Sequence, residues 1–172
     1  VIDRVQRLVR KQESTFESVR VNDLIGDILR LAESDARVND MQIALDLAGD
    51  VAWINADPIQ IQQVLLNLIR NGIDAMRSID CCHGSVVTIR SRTVSDDRIE
   101  VSVTDRGTGV AEDLAERMFT PFTTTKANGM GMGLSICRSI IDAHGGVLSY
   151  RNNPDYGATF YFQLPIGHVH ET

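Results

Sequence analysis

Two runs of alternating apolar and polar residues, separated by a short turn, constrain the fold of this chain more than any other feature. The runs cover residues 86–94 and 98–104, and the polar residues 95–97 lie between them. A period of two with such a turn predicts an antiparallel hairpin. Two further runs, 147–151 and 158–164, have the same character near the end of the chain. Adjacent strand pairs of this kind predict a mostly antiparallel sheet.

Helical segments are interspersed among these strands. Asn22 is a candidate N-cap for a first helix, Asp57 followed by Pro58 opens a second, and Gly145 ends the last. The predicted helices are about 22–31, 58–76, 111–118 and 134–144, and further extended segments are predicted at 16–21, 41–47 and 51–55. This mixed order predicts an α+β protein, a two-layer α/β sandwich whose mostly antiparallel, mixed sheet is covered by helices on one face.

Length, charge and cysteine content narrow the class of protein. The 172 residues correspond to about one domain. With 17 basic and 23 acidic residues the net charge is −6, which disfavours sequence-independent binding of nucleic acid, because such binding needs clustered Lys and Arg. No apolar stretch approaches the roughly 18 residues of a membrane span. Of the three cysteines, Cys81 and Cys82 are adjacent, so a disulfide framework is excluded and we expect a reducing, cytoplasmic location.

The helix that follows Pro58 carries a polar stripe as well as an apolar one. Ile59 and the aliphatic residues after it are predicted to pack inward. The polar residues recur every three or four positions and are Gln60, Gln63, Asn67, Asn71 and Asp74. A solvated face would also account for them, but asparagine is a mediocre helix former and would be an unusual choice there. Amide oxygens are suitable ligands for Mg²⁺, so Asn71 and Asn67 are candidates for a nucleotide-bound metal.

A second motif, Asp-x-Gly-x-Gly, directly follows the strand 98–104. Asp105 places a carboxylate acceptor at the strand end, and Gly107 and Gly109 allow the backbone to approach a flat ligand closely. The amino group of adenine is a donor that such a carboxylate would accept from. An ordinary turn explains the motif equally well. It is not the dinucleotide fingerprint, because the acidic Glu112 would repel a pyrophosphate there.

A third motif contains Gly129, Gly131 and Gly133 and leads into a helix that begins near Leu134. This helix has no acidic residue in its first turn, so its free N–H groups are available to a phosphate. No P-loop occurs in the chain. Lys126 lies just before the glycines and is a candidate contact to a terminal phosphate, although a solvated lysine is an equally good interpretation. Phe119 and Phe122 would anchor one end of this segment, and we interpret residues 119–132 as a lid.

Taken in order, these motifs resemble the N, G1, F, G2 and G3 boxes of sensor histidine kinases, and the similarity covers roughly residues 22–165. The amino-acid sequence around the third motif is most similar to that of PAS-linked kinases such as the oxygen-sensing nitrogen-fixation type. The resemblance implies the Bergerat-type fold shared with gyrase, chaperone and mismatch-repair ATPases, with ATP and Mg²⁺ as cofactors. It assigns Mg²⁺ to Asn71 and Asn67 and adenine to Asp105. The implied nucleotide contacts are Asn67, Asn71, Asp74, Asp105, Gly107, Gly109, Phe119, Phe122, Lys126, Gly129, Gly131, Gly133, Leu134 and Thr159, with catalytic roles for Asn67, Asn71 and Lys126.

The resemblance also implies a phosphoacceptor histidine, and the chain departs from the family here. None of His83, His144, His168 and His170 is followed by an acidic residue in a helical hairpin. We therefore expect residues 1–14, with apolar residues at helical spacing, to be the end of the dimerisation hairpin. Residues 15–166 would be the catalytic ATP-binding domain and 167–172 a tail. His144, at a helix end, is expected to interact favourably with the helix dipole.

A second departure separates kinase activity from hydrolysis. Related ATPases have a glutamate base one helical turn before the metal-binding asparagine, and Asn67 stands at that place. An amide cannot take a proton from water, which favours transfer of the γ-phosphoryl group to an outside histidine. The expected partners are the protein's own dimerisation domain, a second copy in a homodimer and a response regulator, and the full-length protein can be membrane-anchored. The alternatives are a regulatory module that only binds nucleotide and a gyrase-type ATPase.

Overall fold

The computed structural model describes residues 14–77, 85–121 and 133–167, in which seven strands and four helices occur. In chain order these elements are β1 (Glu17–Arg20), α1 (Val21–Val38), β2 (Gln42–Leu47), β3 (Trp53–Ala56), α2 (Pro58–Arg77), β4 (Val86–Ser95), β5 (Arg98–Thr104), α3 (Glu112–Ala115), α4 (Gly133–Ala143), β6 (Val147–Asn152) and β7 (Ala158–Pro165). The predicted hairpin is therefore confirmed, and the predicted helix 111–118 is shorter than expected.

A five-stranded sheet with the order β2-β4-β5-β7-β6 forms one layer of the molecule. The pair β2–β4 is parallel and the other three pairs are antiparallel, as the predicted mostly antiparallel, mixed sheet requires. Strands β1 and β3 form a separate antiparallel pair. The sequence indicated an extended segment at 16–21 but not this pairing, because it joins residues that are far apart in the chain.

The central strand β5 shows why the helices cover one face of the sheet. Ile99, Val101 and Val103 alternate along it and are buried in the apolar core. Glu100 and Ser102 point to the opposite face. There the Glu100 carboxylate accepts hydrogen bonds from Arg92 at 2.7 Å and from Gln163 at 3.0 Å. One face of the sheet is thus apolar and packed against helices, and the other is polar.

Helix α2 begins where the Asp-Pro pair predicts. The Asp57 carboxylate oxygen Oδ1 accepts hydrogen bonds from the backbone N–H groups of Ile59 and Gln60, at 3.0 and 3.2 Å. These are two of the N–H groups that a helix leaves without an internal partner. The prediction that Ile59 packs inward is wrong, because its side chain lies in the first turn and is 67% exposed.

Helix α1 begins differently from the prediction. It starts at Val21, with Arg20 as an N-cap that makes no capping bond through its side chain. Asn22 lies inside the helix, so its predicted capping role is wrong. Its amide instead donates to the Ala48 carbonyl at 2.8 Å and accepts from the Ser91 hydroxyl at 2.6 Å. These bonds fix α1 to the sheet, which is a tertiary use of asparagine that local sequence does not reveal.

His144 follows α4 and connects three parts of the chain. The backbone N–H of Asp57 donates to its Nε2 at 3.0 Å, and its Nδ1 lies 2.7 Å from the Ile140 carbonyl oxygen. Since Nε2 accepts a hydrogen bond, the ring is neutral with its proton on Nδ1. The ring is buried and its centre lies 4.7 Å from that of Phe16. The Nδ1–H of His144 thus bonds to a carbonyl in the last turn of α4, which is the kind of favourable contact expected for a histidine at a helix end. Its Nε2 in addition links α4 to the start of α2.

Candidate functional site

Asn67, in the polar stripe of α2, faces the start of α4. The Asn67 amide nitrogen Nδ2 donates to the Cys137 Sγ at 3.5 Å. A Cβ placed on Gly133 would lie 3.6 Å from the Asn67 amide oxygen Oδ1. Burial raises the pKa of the Cys137 thiol to about 11, so it remains protonated at neutral pH. The side chain of Asn67 is therefore held between α2 and the first turn of α4, in which no acidic residue occurs.

The Asp105 carboxyl group lies at the end of β5 and is 3% exposed. Its oxygen Oδ1 accepts hydrogen bonds from the backbone N–H of Gly107 at 2.8 Å and of Ala158 at 3.2 Å. Both bonds end on Oδ1, so neither uses the second oxygen, Oδ2. Burial raises the pKa of Asp105 above its usual value, against the opposing effect of these two bonds. This carboxylate is fixed in orientation by backbone groups.

The loop after Asp105 packs tightly on α2. A Cβ on Gly107 would come within 2.7 Å of the Ala75 carbonyl oxygen, so this position requires glycine. A Cβ on Gly72 would lie 3.5 Å from the Cβ of Asp105. The C-terminal half of α2, on which Asp74 is partly buried, and the loop 105–110 thus pack directly against each other.

Thr159 lies on the neighbouring strand β7, one residue after Ala158. Its hydroxyl donates to the Asn153 amide oxygen at 2.7 Å and lies 2.9 Å from the Thr104 hydroxyl. Asn153 and its neighbour Asn152 both bond to the loop that Asp105 begins, and the sequence analysis did not single them out. The bonds from Asn152 to this loop span 42 residues, so no local pattern indicates them.

The remaining predicted residues divide into two groups. Phe119 is partly buried, and the Arg138 guanidinium lies 5.4 Å from the centre of its ring. Gly133 and Leu134 begin α4. Phe122, Lys126, Gly129 and Gly131 lie outside the described residues, as does most of the segment interpreted as a lid. Cys81, Cys82, His83, His168 and His170 also lie outside them.

The site can be compared with what Mg²⁺ requires. No cluster of three or more His, Cys, Asp or Glu side chains suitable for a metal is found in residues 14–77, 85–121 and 133–167. The asparagine side chains of α2 supply neutral amide oxygens. Magnesium keeps several waters and takes other ligands from phosphates, so such a sparse donor set fits Mg²⁺ bound together with a nucleotide.

A groove lined by residues of α1 and α2 shares Asn67 with this site. Its volume is about 480 Å³. The lining residues are Asp27, Ile28, Leu31, Ile59, Gln62, Gln63, Leu66, Asn67 and Arg70. Asn67 is one of these residues, whereas Asp105 and Thr159 are not, so the groove does not include the loop 105–110. Among the described helices, none combines the length and the hydropathy needed to cross a membrane.

Comparison with protein sequences assigns the chain to a family. Residues 56–168 match the model of the histidine kinase-, DNA gyrase B- and HSP90-like ATPases. The chain is 35% identical over 166 residues to the sensor histidine kinase ZraS of Salmonella typhi, and these residues are 96% of this chain and 35% of ZraS. It is 39% identical over 165 residues to the sensor protein FixL of Bradyrhizobium diazoefficiens, which are 96% of this chain and 32% of FixL. The chain thus spans about a third of the length of these relatives.

Comparison with solved structures agrees with the comparison of sequences. The catalytic domain of the histidine kinase ThkA is 34% identical, with a TM-score of 0.76 over 88% of this chain and 96% of that domain. Full-length ShkA in complex with AMPPNP is 27% identical, with a TM-score of 0.78 over 91% of this chain and 32% of ShkA. ThkA in complex with the response regulator protein TrrA is 29% identical, with a TM-score of 0.78 over 96% of this chain and 46% of that one. The expected resemblance to sensor histidine kinase catalytic domains is confirmed, and the chain belongs to the family of histidine kinase-, DNA gyrase B- and HSP90-like ATPases.

Proposed function

We propose that residues 15–166 are the ATP-binding catalytic domain of a sensor histidine kinase, which transfers the γ-phosphoryl group of ATP to a histidine of its dimerisation domain. The observation that carries this proposal is the Asp105 carboxyl group, buried at a strand end with Oδ1 bound by two backbone amides. The full-length sequences of ZraS and FixL, and the AMPPNP bound to ShkA, support it.

Adenine would bind against the loop 105–110. Asp105 Oδ2 would accept a hydrogen bond from the adenine amino group, and Gly107 and Gly109 would line the flat pocket. Thr159 supports this arrangement, because its hydroxyl lies in the hydrogen-bond network that ends at the Asp105 backbone. A buried carboxylate already held by two donors needs no rearrangement to accept this bond, which keeps the cost of ordering low.

The triphosphate would extend from the base toward the start of α4. Gly133 and Leu134 would present helix N–H groups to it, with Gly129, Gly131 and Lys126 completing the contacts. Asn71 and Asn67 would hold the Mg²⁺, with Asp74 adjoining, and Phe119 and Phe122 would anchor the lid. When bound, the metal neutralises phosphate charge and orients the γ-phosphate. Catalysis by Asn67, Asn71 and Lys126 would then consist of positioning.

The residue at position 67 favours phosphoryl transfer over hydrolysis. Asn67 stands where a hydrolytic enzyme needs a base, and an amide does not take a proton from water. Among the described residues, His144 is not a suitable acceptor, because it is buried and both its ring nitrogens are engaged. The acceptor histidine would therefore belong to the dimerisation hairpin, of which residues 1–14 would be the end, while 167–172 would be a tail.

The proposed partners follow from this assignment. The whole protein would be a homodimer that passes the phosphoryl group to a response regulator, as the complex of ThkA with TrrA suggests. The domain would work in the cytoplasm, where ATP is available.

A reconstituted transfer reaction tests the proposal. The chain is incubated with γ-labelled ATP, Mg²⁺ and a separate hairpin domain that carries a histidine, and we expect acid-labile label on that histidine. An Asp105→Asn chain is the matched control and should transfer little label. Nucleotide binding without labelled histidine would instead indicate a regulatory module. Rapid release of free phosphate would indicate a gyrase-type ATPase.

A further inference from the structure

Asn152, the last residue of β6, bonds to the loop that Asp105 begins. Its amide oxygen accepts a hydrogen bond from the Val110 backbone N–H at 2.8 Å, and its amide nitrogen donates to the Val110 carbonyl at 2.9 Å. One side chain thus occupies both backbone groups of one loop residue. This double contact fixes the position and the rotation of the Val110 peptide units more strictly than a single bond would.

Asn152 also packs directly on Gly109. This glycine has φ of +77°, and a Cβ placed on it would lie 2.9 Å from the Asn152 amide oxygen. Both the positive φ and the close contact restrict the position to glycine. The path of the loop past Gly109 is therefore determined by the side chain of Asn152, which is itself exposed and lies outside the apolar core.

Asn153 holds the other end of the same loop. Its amide nitrogen lies 3.3 Å from the Asp105 carbonyl oxygen and 3.3 Å from that of Tyr156, and its amide oxygen accepts from Thr159 at 2.7 Å. Its backbone N–H donates to the Gly157 carbonyl at 2.9 Å. Asn152 therefore ties the loop 105–110 to the end of β6, and Asn153 ties it to strand β7, at two separate points of the loop.

We propose that Asn152 and Asn153 are positioning residues that hold the adenine pocket in its binding conformation before the nucleotide arrives. This inference rests on the proposed function and adds the residues on which base recognition depends. Neither asparagine needs to contact the nucleotide, because Asn153 acts on the backbone carbonyl of Asp105 and Asn152 acts on the backbone of Val110, next to Gly109. Since the metal side of the site is built from α2, their effect is independent of Mg²⁺.

Calorimetry of Asn152→Ala tests this role. We expect the affinity for ADP to fall by about five- to twentyfold, the effect of two hydrogen bonds to the loop, with the same factor in EDTA and in Mg²⁺. The preference for ADP over GDP should fall too, because a loop displaced at Gly109 and Val110 no longer holds the base where Asp105 can select the adenine amino group. A purely structural role would lower the melting temperature without changing this preference.

Two other variants complete the design. Asn153→Ala should lower ADP affinity in the same Mg²⁺-independent way. Asn39→Ala is the matched control, because Asn39 also donates its amide to a backbone carbonyl, that of Asp35 at 2.8 Å, but at the end of α1. It should bind ADP like the parent.

The possible failures are distinguishable. If the parent binds ADP and both Asn152→Ala and Asn153→Ala bind it equally well, the positioning role is wrong and the proposed function stands. If the two variants lost ADP affinity only in the presence of Mg²⁺, the positioning role would also be wrong. If the parent binds no ADP at millimolar concentration, the proposed function fails and the inference fails with it.

Discussion

The base side and the metal side of the site are held in different ways. On the base side, backbone and side-chain groups bind Asp105 and its loop through hydrogen bonds of 2.7 to 3.3 Å. On the metal side, the contact to Asn67 from α4 is a single N–H···S bond of 3.5 Å. A preorganised pocket spends less binding free energy on ordering. The comparison predicts that base recognition is built into the fold, whereas the orientation of the Asn67 amide depends on the ligand.

The largest expected effect is that of Asp105→Asn. The amide keeps an oxygen for the N–H groups of Gly107 and Ala158 but presents a neutral group to the base. We expect ADP affinity to fall about a hundredfold, since hydrogen bonds to charged groups contribute about 1.5–3 kcal/mol and a donor facing the adenine amino group adds a penalty. Calorimetry measures the affinity, and thermal unfolding should show a much smaller change in stability. Equal ADP affinity in variant and parent would contradict the proposal that Asp105 recognises adenine.

Replacing Asn71 by alanine tests the other side. We expect about a tenfold loss of ATP affinity in Mg²⁺ and almost none in EDTA, because one of the few oxygen ligands of the metal is lost. This pattern is the opposite of that expected for Asn152→Ala, whose loss is equal in the two conditions. An Asn71→Ala domain whose Mg²⁺-dependent tightening is intact would contradict the assignment of the metal.

Because the pKa of Asp105 is raised, lowering the pH should change the free energy of unfolding and the ADP affinity in opposite directions. Burial disfavours the charged carboxylate in the folded protein, so the proton is bound more tightly there than in the unfolded chain. As pH falls through the raised pKa toward the usual value of 3.8, the contribution of Asp105 to the free energy of unfolding should become more favourable. Over the same range ADP affinity should fall, because protonation removes the acceptor. In the Asp105→Asn variant, neither the stability nor the ADP affinity should change around that pKa. If variant and parent showed the same pH dependence, the effect would not come from Asp105.

Much of the fold could be predicted from periodicity and end signals. The hairpin of β4 and β5 and the start of α2 at the Asp-Pro pair depend on local residue order, which sequence displays directly. Asn22 was interpreted wrongly for the same reason, because it looks like an N-cap, yet its partners Ala48 and Ser91 come from distant parts of the chain. The helix-end contact of His144 to Ile140 is local, whereas its bond to Asp57 spans 87 residues and could not be predicted.

The candidate site shows the same limit. Asp105 and the asparagines of α2 could be proposed from the sequence because a residue type recurs at a spacing that has a chemical meaning. Asn152 and Asn153 lie in an Asn-Asn-Pro sequence typical of any turn, and only the fold brings them to the loop 105–110. Candidate ligand contacts are thus easier to propose from a sequence than the residues that hold them.

The smallest expected effect is that of Cys137→Ala, which removes the partner of the Asn67 amide. We expect ATP affinity in Mg²⁺ to fall only about threefold, because a weak N–H···S bond is lost and the ligand itself can orient the amide. Stability should fall by about 1 kcal/mol for the small cavity. Ile141→Val is the matched control, since Ile141 is fully buried on the same helix and its truncation also leaves a small cavity.

A double-mutant cycle with Asn67→Ala decides whether Cys137 acts through Asn67. If it does, Cys137→Ala should have almost no further effect on ATP affinity once the Asn67 amide is gone, so the two effects are not additive. Additive effects would show that Cys137 matters only for packing. If Cys137→Ala lowered ATP affinity by as large a factor as Asn152→Ala lowers ADP affinity, the metal side would be held as firmly as the base side. Removing one weak contact to Asn67 would then have the same effect as removing two short hydrogen bonds to the loop.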